Sequence, residues 1–184
     1  MAIRSSIVTD SRHGKLILVL AGLTVAATLV SGHLVAQEQE SLPKLVQIVQ
    51  GATRQYGDVN VAVADGYGPF LGCVSGPDHG AMGIHYVKGA LLNGQIDAEH
   101  PQALIYEPME GKLRLVGVEF IVDQVTWDKS NAAPPVLEGQ SFQFVPTPNR
   151  FNIHAFYELH VWAWRQNPLG AFVDWNNRVT CAGQ

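Results

Sequence analysis

The sequence predicts one α+β domain, with N-terminal helices packed on a curved antiparallel β-sheet. Three observations carry this. Apolar residues recur at helical spacing only between Leu42 and Val63, the chain from Gly68 onward is a series of Gly- and Pro-punctuated β-branched and aromatic runs, and the connections are short enough for antiparallel neighbours. A partly or fully closed barrel, with the helices as a lid, is the competing arrangement of the same elements.

Residues 1–36 read as a signal peptide. Arg4, Arg12 and Lys15 precede the apolar run from Leu16 to Val30, Ser31 and Gly32 break it, and Leu34-Val35-Ala36 offers a cleavage site. The run is shorter than the ~20 apolar residues that a membrane span needs. A retained N-terminal anchor is the alternative. Cleavage would leave residues 37–184 as a single periplasmic or secreted domain, long enough to bury a core. Of the 12 basic and 16 acidic residues, Arg4, Arg12, Lys15 and Asp10 fall in the signal, which leaves 9 against 15. With that balance and no basic run, nucleic-acid binding and stable membrane association after cleavage are disfavoured. Cys73 and Cys181 are the only cysteines. In an oxidising compartment they are expected to form a disulfide.

Leu42, Leu45, Val46, Val49, Ala52 and Tyr56 make the first helical stripe, with Ser41 as a candidate N-cap and Pro43 in the first turn. Asp58 can cap a second piece, in which Val59, Ala62 and Val63 continue the stripe. Gly68-Pro69 and Gly76-Pro77 predict an irregular loop around Cys73. Strands are expected at Met82 to Val87, Ala103 to Glu107, Leu113 to Val122, Ser141 to Phe144 and Ile153 to Trp164, the last of them central. Gly111 in the connection Pro108 to Lys112 suits a hairpin turn. Asp128 to Gly139 reads as an excursion, stopped by Pro134-Pro135. Phe172, Val173 and Trp175 pack the tail back before Cys181.

Polar residues interrupt these apolar strands. In the last one, a period of two puts His154, Glu158 and His160 on one face, together with Phe156, Trp162 and Trp164. His85 stands inside Gly83-Ile84-His85-Tyr86-Val87, Glu107 closes Leu104-Ile105-Tyr106-Glu107, and Glu119 shares a face with Leu113, Leu115 and Ile121. Buried imidazoles and carboxylates need partners. Neutral imidazole with carboxylate oxygen suits a divalent ion, Zn, Cu, Fe or Mn. His85, Glu119 and His160 are the predicted ligands, with His79 as a further donor in the loop Pro77 to Gly80. Ligands from separate strands of an already stable sheet would make an open three-ligand site, with Glu107 or Glu158 as general base toward a bound water.

Two other readings compete. Tyr86, Tyr106, Phe120, Trp162 and Trp164 could wall a pocket for a small molecule or carbohydrate without metal. Alternatively, the buried His and Glu satisfy only one another in a structural protein. No His-Glu-x-x-His, His-x-His or Cys-x-x-Cys spacing is present, nor a Gly-x-Ser-x-Gly elbow. Glu119 and Glu158 could also serve as the acid and base of a glycosidase, a reading that depends on their separation.

The succession Cys73, His79-Gly80-Ala81-Met82-Gly83-Ile84-His85-Tyr86, Leu104-Ile105-Tyr106-Glu107-Pro108, Gly117-Val118-Glu119-Phe120, Leu159-His160-Val161-Trp162-Ala163-Trp164, Asn167-Pro168 and Cys181 resembles a group of exported bacterial proteins of unknown function. It spans about Tyr56 to Cys181. The resemblance implies bacterial export and a single site built from these residues. It carries no activity, ion or ligand.

Overall fold

The computed structural model describes residues 41–76 and 78–184, and the expected signal segment lies outside them. Helix α1, Lys44–Thr53, begins after Pro43 rather than at a Ser41 cap, and buries Leu45, Val46, Val49 and Thr53 along one face. A 3₁₀ turn, Arg54–Gly57, leads into α2, Val59–Ala64, whose first turn is capped by Asp58 accepting from the Asn60 N–H. Among the described residues no helix is long and apolar enough to cross a membrane.

Eight strands follow: β1 Gly68–Gly76, β2 Gly80–Val87, β3 Ala103–Met109, β4 Lys112–Asp123, β5 Val136–Leu137, β6 Gln140–Ser141, β7 Gln143–Val145 and β8 Phe156–Val161. Six of them form one curled antiparallel sheet in the order β1-β2-β3-β4-β8-β7, while β5 and β6 pair separately. The two ends of the order do not pair, so the sheet is an open half-barrel rather than a closed one. Helix α3, Gln124–Asp128, follows β4 directly and is capped by Asp123.

Glu110 and Gly111, both at positive φ, form the two-residue β3–β4 turn, as right-twisting hairpins favour. The segment around Cys73, expected as an irregular loop, is instead strand β1. Its Gly and Pro residues mark a bulge, for the register with β2 shifts between Phe70 and Val74. The last strand is shorter than Ile153 to Trp164. It is fifth of six rather than central, and β3 and β4 take the middle.

One face of the sheet is apolar throughout. Leu104, Tyr106, Leu115, Val118, Phe120, Val122, Leu159 and Val161 share a buried cluster with Leu45, Val46 and Val49 of α1. Burying one such side chain contributes roughly 1.5–3 kcal/mol. Hydrogen bonds reinforce the junction: the Gln50 side chain donates to the Ala163 carbonyl, and the Tyr106 hydroxyl to the Tyr56 carbonyl. The opposite face carries a smaller apolar cluster of Ala81, Ile105, Val116, Trp162 and Val179, and beside it the buried polar groups. The disulfide Cys73–Cys181, with Cα atoms 5.6 Å apart, ties β1 to the C-terminal tail across 108 residues of sequence.

Candidate metal centre

Strand register brings the site together. Glu119 on β4 lies directly opposite His160 on β8, and Ile121 opposite Glu158. Across β3, Ala103 is the neighbour of Glu119 and Ile105 the neighbour of His85. Only a methyl group at Ala103 stands between strands β2 and β4 at this level, so the imidazole of His85 reaches the carboxylate of Glu119. Gly117 lets β4 and β8 approach closely, since a Cβ there would sit 2.8 Å from the Val161 carbonyl oxygen.

The Nε2 of His85 is 3.3 Å from Glu119 Oε2 and 3.5 Å from His160 Nε2. Both distances are longer than the 2.7–3.2 Å typical of N–H···O hydrogen bonds. They match the edge of a tetrahedron around an ion, where ligand bonds of 2.0–2.2 Å put donor atoms about 3.3 Å apart. The tautomer of each ring decides whether its Nε2 donates or accepts, and a cation would be shared by all three groups. His85, Glu119 and His160 are buried, and their ligand atoms lie within 4.8 Å of one another.

Electrostatics prepares the same conclusion. Burial pushes the His85 pKa down to about 4, and burial together with the His85 ring holds His160 well below the ordinary imidazole value. Both rings are therefore neutral at pH 7, the form that binds metal. Burial, followed by the adjacent Glu158 carboxyl, drives Glu119 well above the ordinary carboxylate range, and burial raises Glu158 to about 7. With the His85 ring neutral, the His85–Glu119 contact is not an ion pair. Desolvated lone pairs facing one point favour a dication.

A second triad shares His160. Its ligand atoms come from Glu158, His160 and Asp174, and Nδ1 of His160, without a hydrogen-bond partner, is 3.7 Å from Asp174 Oδ1. Asp174 sits in the tail, fixed there by the Trp162 indole N–H donating to the Val173 carbonyl and by Gln143 donating to its own carboxylate. Sequence reading missed this acid. The available signal was a lone carboxylate in Phe172-Val173-Asp174-Trp175.

The cavity over the triad measures about 40 Å³ and is walled by Phe70, Val74, Met82, Val87, Ile121 and Phe156. One water needs about 10–15 Å³ of such space, so the cavity has room for more than one. Comparison with protein-family models, with curated proteins and with solved structures finds no match to this chain, so the site stands on its own geometry.

Other expected site residues lie elsewhere. Glu107 is buried, but its oxygens accept from the Arg114 guanidinium and from the Thr180 N–H, 3.0 Å away. His79 is exposed in the β1–β2 turn near Trp175, and His154 is exposed ahead of β8. Tyr86, Tyr106 and Phe120 belong to the apolar cluster on the other face. Trp164 joins them, because the chain leaves the β ladder after Val161: the N–H groups of Trp164 and Arg165 both donate to the Val116 carbonyl, which turns the indole toward Thr53. Trp162 remains on the polar face, stacked on His160 with ring centroids 6.2 Å apart.

Proposed function

We propose that the protein is an exported metal-binding protein that holds a divalent ion between His85, Glu119 and His160, with Glu158 beside it. The observation that carries this reading is the convergence of three buried donor atoms within 4.8 Å of one another, with His85 Nε2 at tetrahedral-edge spacing from the other two. Two imidazoles and a carboxylate suit Zn, Fe, Mn or Cu in preference to thiolate-selecting ions. Three protein ligands leave a coordination position for water, as in a metalloenzyme, and the small cavity accommodates that water. Glu158, raised to about 7, is then the group to accept its proton. The helices, read as packed on the sheet's other face, hold the strands that carry the ligands. Export rests on the N-terminal charge and apolar pattern, on the resemblance to exported bacterial proteins, and on the disulfide.

Carbohydrate binding receives less support. A cavity of about 40 Å³ is far below the roughly 300–1,000 Å³ of small-molecule pockets, and most of the aromatic side chains expected as its walls lie on the opposite face. Elemental analysis of untagged protein, purified without chelator, tests the proposal. One ion per chain, lost on His160→Ala with the fold retained, is the expected result. A metal-free protein that takes up no added Zn, Cu, Fe or Mn would leave a structural His/Glu network as the reading.

A further inference from the structure

Five basic residues that the sequence scatters over more than 120 positions converge on one cleft. Arg54 comes from the 3₁₀ turn after α1, Lys112 and Arg114 from the start of β4, Arg165 from the segment after β8, and Arg178 from the tail. They are five of the nine Lys and Arg residues in 37–184, a stretch that carries 15 acids. The cleft has a volume of about 1120 Å³, and among the described residues Glu107 and Glu110 are the only acids lining it. Glu107 is already engaged by Arg114 and the Thr180 N–H. The Nε of Arg114 is buried without a hydrogen-bond partner, so a guanidinium donor in the cleft wall has none of its own. Trp164 supplies an aromatic surface beside these groups, with the Arg54 guanidinium 5.9 Å above its ring.

We infer that this cleft is a binding site for a small organic anion carrying two or more carboxylate or phosphate groups. Arginine forks recognise both groups through paired charge-assisted hydrogen bonds. A concave surface with a positive excess, five basic against two acidic residues, on an otherwise acidic domain focuses its field on such a ligand. Glu107 and Glu110 offset two of the five charges, and a monoanion would leave two of the remaining three unanswered. The inference is independent of the metal centre, because none of the cleft residues belongs to either ligand triad.

The test is isothermal titration calorimetry of the full mature protein, with quenching of tryptophan fluorescence read in parallel. Tricarballylate and inorganic tripolyphosphate serve as probes, and acetate at matched ionic strength as the monoanion. One or both polyanions bind, acetate does not, and whichever arm is stronger identifies the carboxylate or phosphate source. Arg178→Gln and Arg54→Gln, both at exposed positions, each weaken binding about tenfold or more, as loss of a charge-assisted hydrogen bond implies. Lys129→Gln lies outside the cleft and leaves affinity unchanged, as does His160→Ala. Absence of binding by both polyanions at millimolar concentration overturns the inference. So does equal weakening by Lys129→Gln, or loss of binding in His160→Ala, which would place the anion on the metal instead.

Discussion

His160 is 1 % exposed, and its two ring nitrogens face different partners, His85 on one side and Asp174 on the other. A ligand so placed cannot be replaced by water when it is truncated. His160→Ala is expected to lose the ion, and His85→Ala to weaken it by a hundredfold or more, checked by competition against a chromogenic chelator. Asp174→Asn leaves all three ligands of the first triad in place. It removes the carboxylate that faces Nδ1, and support of this kind typically changes metal affinity about 10–100-fold. The buried carboxyls also set a pH dependence. Glu119 and Glu158 have folded pKa values above the unfolded 4.5, so stability of the chelated protein falls as pH rises from about 4.5 to about 7 for Glu158, and Glu119 acts in the same direction. The imidazoles act oppositely, because His85 and His160 are held below 6.5 and cost stability as pH falls through 6.5 toward about 4 for His85. Above pH 7, where the imidazoles are mostly neutral in both the folded and unfolded states, the carboxyls dominate, and the melting temperature of the chelated protein should be lower at pH 8.5 than at pH 7. Glu119→Gln should remove much of that decline, and a bound ion should abolish it.

At the scale of elements, the β4–β8 pair is the structural requirement of the site. Gly117→Ala would push a methyl against the Val161 carbonyl and displace Glu119 relative to His160, at a cost of about 1–3 kcal/mol. Denaturant unfolding measures that loss, and metal affinity should fall with it. The β3–β4 hairpin was legible in the sequence, because Glu110-Gly111 joins two apolar runs. So were His85, Glu119 and His160, each an exception inside such a run. Strand β1 was not, since its Gly and Pro residues signal a turn and a bulge equally well. The aromatic wall was misplaced for a simpler reason. Tyr86 adjoins His85 and Phe120 adjoins Glu119, and neighbours on a strand face opposite ways, so neither could share the polar face. Trp162 and Trp164, two and four residues from His160, could. Trp164 failed because a departure from the ladder after Val161 inverts every later side chain. The basic cleft is invisible in one dimension, as its residues meet only through the tertiary fold.

For the whole molecule, the disulfide and the ion are expected to act separately. The bridge closes a loop of 108 residues, for which chain entropy gives at most about 4–5 kcal/mol. Cys73→Ala/Cys181→Ala should lower stability by up to that amount and loosen the tail that holds Asp174. The apolar clusters on the two faces do not include the ligands, so the chelated protein should remain folded, with its far-ultraviolet circular dichroism unchanged. X-ray absorption spectroscopy of the protein loaded with one equivalent of zinc tests the central claim most directly. Two imidazoles and carboxylate or water oxygens at about 2.0–2.2 Å in four-coordinate geometry are predicted, with one imidazole lost in His160→Ala. A shell of oxygens alone, or a spectrum indifferent to His160→Ala and His85→Ala, would contradict it.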